Sequence, residues 1–169
     1  EAKALTMTWK SSGDPWAAIN ASGHWRKAER PDTSLALTAE ALAAAKEPKA
    51  RSALLTTRGG ALRDIGHLDE AKAHAEQAHE LTPRDFRPCT LLGAVCIAMR
   101  DLAAGHEWFV KAEELGASQK SIDQDIRALM ARADSTARER ICEFLLERDP
   151  ERFGWLRRSN RPGQVAKLR

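Results

Sequence analysis

The chain has 169 residues, enough for one compact domain or one short solenoid and too few for two comfortable domains. Hydrophobic residues make up 43% and charged residues 30%, a balance that excludes both a chain disordered by composition and a membrane-embedded one. Thirty alanines against nine aromatic residues favour close-packed helices over strands, setting aside a β-sandwich or barrel, and a net charge of +3 is too small to make nucleic acid the default partner.

The N-terminal segment, residues 1–14, contains Ala4, Leu5, Met7 and Trp9, which predict a short helix before Ser11-Ser12-Gly13. Two readings are open for it: the second helix of a preceding repeat, or an end that packs on its own. The start at Glu1-Ala2-Lys3 lacks an initiator Met, as in a piece of a longer protein or a processed N-terminus, and nothing there resembles a signal peptide.

From residue 15 the chain is similar to itself. Shifted by 34, Leu55 falls on Cys89, Gly59 on Gly93, Leu62 on Cys96, Leu68 on Leu102, Ala71 on Gly105, Ala78 on Ala112 and Leu81 on Leu115. These pairs match in size or apolarity, whereas Ala75 on Phe109 does not. Shifted by 37, Ala18 falls on Leu55, Ser22 on Gly59, Trp25 on Leu62, Ser34 on Ala71 and Ala41 on Ala78. The three extra residues are expected in a linker around Pro48-Lys49-Ala50-Arg51. The units so defined are 15–51, 52–85 and 86–119.

Each unit reads as two helices joined by a tight turn. Leu55, Gly59 and Leu62 lie on one helical face, Gly66-His67 breaks the run, and Asp69 and Glu70 suit a new helix start by capping and dipole. Ala71, Ala75 and Ala78 repeat the spacing until Pro83. Gly59 against Ala71, and Gly93 against Gly105, are expected to let two helix axes approach closely, since a helical glycine costs about 1 kcal/mol relative to Ala and needs compensation.

Residues 120–158 predict C-terminal capping helices. Ser118 caps a helix with Ile122, Ile126 and Leu129 on one face. Thr136 to Glu139 has capping-box spacing before Ile141, Phe144 and Leu145, and Asp149-Pro150 is expected to start a third helix carrying Phe153, Trp155 and Leu156. Residues 159–169 form a basic tail.

Gly66-His67-Leu68-Asp69-Glu70-Ala71 followed by Gln77-Ala78, Glu80-Leu81 and Pro83 resembles the second half of a tetratricopeptide repeat, and Leu92-Gly93 with Phe109 and Ala112 resembles the next copy. The resemblance covers 52–118 closely and 15–51 with departures: Ser22 and Ser34 stand where the family prefers Gly and Ala, and Pro31-Asp32 replaces the usual turn. It implies an all-α protein, a right-handed α-solenoid of antiparallel helix pairs with C-terminal capping helices. It also implies a concave groove, lined by the first helix of each unit, that holds a peptide or a helix of another protein. Carried onto this chain, the groove residues are Ile19, Gly23, Arg26, Thr56, Gly60, Arg63, Thr90, Ala94 and Ile97. One subgroup of the family clamps the terminal carboxylate of chaperone tails with Lys and Asn. This chain has Thr, Gly and Ala at those places, so a chaperone-tail adaptor is not expected. Small residues beside Arg26, Lys27 and Arg63 instead match a partner with an apolar stripe and acidic side chains. The plainer alternative is an inner surface that holds nothing.

A second surface belongs to a different class. Six basic residues and no acid lie between Arg152 and Arg169. Arg152, Trp155, Arg157, Arg158 and Arg161 make a candidate nucleic-acid patch, against the plainer reading of a solvated tail with aromatics packed on the preceding helix. A third alternative is a repeat domain of a larger enzyme or of a defence or signalling protein. No catalytic constellation, cofactor motif or metal motif is visible. His74 and His79 are five apart and miss the pairing of a helical zinc site, Asp123 and Asp125 point to different faces, and Glu143 and Glu147 beside Arg140 and Arg148 read as a charged exposed surface. Cys89 and Cys96 align with core leucines, and Cys142 near Arg138 reads as a spare thiol, so three unpaired cysteines fit a reducing compartment such as the cytoplasm. The chain is thus expected to act by holding another protein, with no membrane contact; its residues leave the oligomeric state open.

Overall fold

The computed structural model describes residues 1–159, with side chains up to Arg157, so Arg161, Lys167 and Arg169 of the basic tail lie outside the described residues. Among the described residues there are helices and no strand: α1 Ala2–Ser12, α2 Pro15–Lys27, α3 Pro31–Ala44, α4 Pro48–Asp64, α5 Leu68–Leu81, α6 Phe86–Ala98, α7 Leu102–Glu114, α8 Gln119–Arg132, α9 Ser135–Arg148 and the single turn α10 Leu156–Ser159. Short polar side chains set most starts. Asp14, Glu47, Asp85, Asp101, Ser118 and Asp134 accept from backbone N–H groups two or three residues on, at 2.8–3.2 Å. Pro15, Pro31 and Pro48 occupy first helical positions, where the missing N–H would have had no partner.

The second helices of the pairs begin at Pro31, Leu68, Leu102 and Ser135, so the period in the sequence is also a period in helix placement. It runs one pair further than the sequence reading recognised, because α8 and α9 keep the same spacing. The residues at 48–51 are not a linker. Glu47 caps and Pro48 opens α4, which absorbs the insertion as an extra first turn and reaches 17 residues where α2 and α6 have 13. The chain turns between pair members at Glu29, Gly66 and Arg100, equivalent positions with φ of 56°, 85° and 70°. Only the glycine adopts this left-handed conformation without steric cost.

Several local expectations need correction. The cap of α9 is Asp134 rather than Thr136, and α5 starts behind His67, leaving Asp69 and Glu70 in its first turn, where they suit the dipole and Glu70 also meets the His67 ring at 3.0 Å. Asp149 does accept from Arg152 N–H at 2.9 Å, but the chain then runs as turns through Trp155 and becomes helical only at Leu156. In α1, Leu5 and Trp9 face the protein while Met7 is 72% exposed. Trp25 Nε1 donates to Thr6 Oγ1 at 3.0 Å, tying α1 to α2.

Neighbouring helices pack in chain order from α1 to α7, and α2, α4, α6 and α8 also touch one another in a continuous layer. Within the pairs the decisive contacts have no side chain between the axes. A Cβ on Gly93 would stand 2.6 Å from the Phe109 ring, and one on Gly105 would meet Ile97 Cγ1 at 2.5 Å and the Gly93 carbonyl oxygen at 3.0 Å. A Cβ on Gly59 would meet Leu91 Cδ2 at 2.8 Å and the Ala71 carbonyl at 3.1 Å. This also accounts for the one mismatch in the repeat: Phe109 fills the space over Gly93 that Leu91, from the first helix of the next pair, fills over Gly59. The equivalent crossing of α2 and α3 carries Ser22 and Ser34, both fully buried, whose hydroxyls find no partner.

Gly105→Ala is expected to cost about 1–3 kcal/mol, because the obstructing atoms include backbone that cannot turn away. Gly23→Ala, which meets nothing within 4 Å, should stabilise by about 0.5–1 kcal/mol. Ser22→Ala should be neutral or stabilising, since it removes a buried hydroxyl without a partner. Urea unfolding of the three variants checks all of these.

Candidate functional site

The layer formed by α2, α4, α6 and α8 carries two adjoining cavities. The larger, about 340 Å³, is lined by Arg26, Thr56, Gly60, Arg63 and Thr90, together with Phe86, Arg87, Leu91, Ser121 and Asp125. The structure thus brings together the central groove residues that the sequence pointed to. Not all nine belong. Ile19 packs against the N-terminal core, and Ala94 is wholly enclosed. Gly23 faces open space. Ile97, almost fully buried, forms part of the floor of the second cavity. Arg63 borders both.

The charges of this surface are organised by Asp64, which sequence reasoning missed because it is one of many acidic residues at a helix end. Arg26 Nε donates to Asp64 Oδ2 at 2.8 Å, while Arg63 Nη2 and Arg132 Nη1 approach Oδ1 at 3.3 and 3.0 Å. Residues from α2, α4 and α8 therefore meet on one carboxylate. Gly60 makes this geometry accessible: the Arg26 guanidinium lies directly over it, where a Cβ would collide. Gly60 is a seat for Arg26 rather than a bare contact surface.

Burial by itself pushes the Asp64 carboxyl up, but the Arg26 guanidinium, with Arg63 and Arg132, outweighs it and holds the group below the ordinary carboxylate range. Asp125 on α8 behaves oppositely: burial pushes it up against the pull of Arg63 and Arg26, and the charge on Asp64 adds to the rise. The two threonine hydroxyls are spent within their own helix, Thr56 donating to Ser52 O at 2.8 Å and Thr90 to Phe86 O at 3.0 Å. What remains for a ligand is a cationic cavity whose two threonine oxygens can only accept.

Two of the candidate nucleic-acid residues, Arg152 and Trp155, are engaged within the fold. Arg152 is turned inward, 10% exposed, donating to Asp123 at 2.7 Å and to Glu113 at 3.0 Å. Phe153 is buried, and the Trp155 ring is covered by Arg127, whose guanidinium carbon lies 4.1 Å from the ring centroid. Arg157 is exposed, while the Arg158 side chain and Arg161 lie outside the described residues. Asp123 is thus a structural partner of Arg152, and Asp125 a lining residue of the groove.

The thiols are in the core. Cys89 lies 3.6 Å from His79 Nδ1, and burial lifts its pKa. Cys96 and Cys142 are buried and raised for the same reason, in Cys142 against the pull of Arg138. Among the described residues no His, Cys, Asp and Glu side chains gather in a group able to hold a metal, and no helix is long and apolar enough to cross a membrane. No protein-family model matches the chain, and no curated protein matches it significantly.

The two carboxyls carry opposite linkage to pH. A carboxyl raised by folding binds its proton more readily in the folded state, so Asp125 detracts from stability as pH rises through its raised value. The lowered Asp64 contributes stability above the unfolded carboxylate range and loses it as pH falls through its own value. Asp125→Asn is therefore expected to stabilise at neutral pH, with a gain that shrinks toward acid. Asp64→Ala should cost about 2–3 kcal/mol at neutral pH by stranding the guanidiniums. Urea titrations at several pH values read both signs.

Proposed function

We propose that this chain is a protein–protein interaction module: a right-handed α-solenoid of tetratricopeptide type that holds a peptide or helix of another protein along its concave face, in a reducing compartment such as the cytoplasm. Its work on this reading is binding rather than chemistry. The supporting observation is the cavity that gathers Arg26, Thr56, Gly60, Arg63 and Thr90 from three successive first helices. The contacts among α2, α4, α6 and α8 support this reading, in which first helices form the inner layer and the cavity belongs to the hollow side. Arg26, Arg63 and Arg87 at that opening favour acidic groups on the partner, while Phe86 and Leu91 offer it apolar contact.

The test is positional. A photo-crosslinking amino acid is placed at Thr56 or Thr90 in the groove, or at the exposed Ala73 or Glu76 on α5, in cells that make the protein. The proposal predicts discrete protein adducts from Thr56 and Thr90, reduced several-fold by Arg87→Glu, with none from α5. Equal adducts from both surfaces, or none from the groove, would contradict it.

A further inference from the structure

The second cavity, about 190 Å³, adjoins the first at Arg63 and extends past it toward α9. Its floor is apolar, made by Ile97 and Ala98 of α6, Leu129 of α8 and Ile141 of α9, with the exposed Ala128 of α8 at the rim. Arg63, Arg100 and Arg132 stand around it, and no acidic side chain lines it. The carboxylates that meet these arginines, Asp64 and Asp134, sit outside the lining. Arg100 and Arg132 remain 56% and 63% exposed while doing so.

The cavity has a cause in the sequence. In the fourth pair Ile126 and Arg138 occupy the places held by Gly93 and Gly105 in the third, so α8 and α9 cannot close on each other as α6 and α7 do. The Arg138 guanidinium instead reaches the end of α8, donating to Met130 O at 3.1 Å and Ala133 O at 3.2 Å. Ala133 is extended, with φ of −80°, where the other pairs turn through a left-handed residue. The two helices splay, and the gap between them and α6 is left unfilled.

We infer that this cleft is an anchor site for one bulky aliphatic or phenyl side chain of an acidic peptide segment, with the flanking carboxylates of that segment paired to Arg63, Arg100 and Arg132. The size fits, since an apolar cavity of about 150 Å³ accommodates benzene. The sign of the rim selects the flanks: the chain's own C-terminal residues are basic and would be repelled, whereas Asp and Glu beside the anchor gain. The inference rests on the proposed protein-binding groove and adds the position and chemistry of its main contact.

A random twelve-residue peptide library displayed on phage is panned against the 169-residue protein, with Ala128→Trp as the comparison. Ala128 is exposed, so the new indole fills the cleft from its rim without entering the core, and an unchanged melting temperature confirms that the fold is kept. The expected result is a consensus of one Leu, Ile, Met or Phe flanked by two or more Asp or Glu. Its synthetic peptide should bind at least tenfold more weakly to Ala128→Trp and several-fold more weakly to Arg100→Glu. A consensus that is basic or lacks an apolar anchor overturns the inference. So does one indifferent to Ala128→Trp; if it is instead lost on Arg87→Glu, the groove stands and the anchor site falls. Recovery of no consensus at all would remove both.

Discussion

The contact on which the rest depends is the one at which α6 and α7 cross with no side chain between them. Gly93 and Gly105 leave the backbones so close that even a methyl group would overlap a neighbour, and Phe109 and Ile97 then cover the joint. Each such glycine weakens its own helix by about 1 kcal/mol, and the close packing it permits is the offsetting gain. The middle pair repeats the arrangement with Gly59 against the Ala71 backbone, and the first pair keeps only small residues there, Ser22 and Ser34. The close pairs place α2, α4 and α6 side by side, and α8 extends the same layer by its contact with α6.

The fourth pair shows what happens without that contact. Ile126 and Arg138 hold α8 and α9 apart, and the unfilled space becomes a cleft at the end of the groove. Arg132 from α8 reaches Asp64 on α4, so that one carboxylate gathers guanidiniums from three of the four pairs' first helices. Asp64 therefore braces the layer of α2, α4 and α8 while leaving its surface cationic. On the proposed reading, stability and recognition draw on the same few side chains, with Arg26 and Arg63 serving both.

Helix content, the two-helix unit and its spacing were legible because Gly59, Gly93, Ala71 and Gly105 recur in register and packing is what demands them. The fourth pair was not, because recognition relied on small residues and α8–α9 has large ones at those places while keeping only the helix spacing. The extra turn of α4 was expected as a linker because three inserted residues fall there, although Pro48 after an acidic cap starts a helix. In the groove, Arg26, Thr56 and Thr90 followed from the resemblance to tetratricopeptide repeats, which implies a face for each first helix. Whether that face is covered is decided by neighbours far along the chain: Ala94 is enclosed, Gly60 lies under Arg26, and Arg152 folds back onto Glu113 and Asp123. Such pairings over 29 to 39 residues leave no local pattern to read.

Native-state hydrogen exchange tests the central claim most directly, because it reports how firmly each pair is closed. If glycine-mediated approach holds the pairs together, amides of α4 to α7 should exchange only through global unfolding. Those of α8 and α9 should open at lower free energy, as a separate unit. Equal protection of α8–α9 and α6–α7 would show that the crossing glycines do not distinguish the pairs, and the account built on them would be wrong.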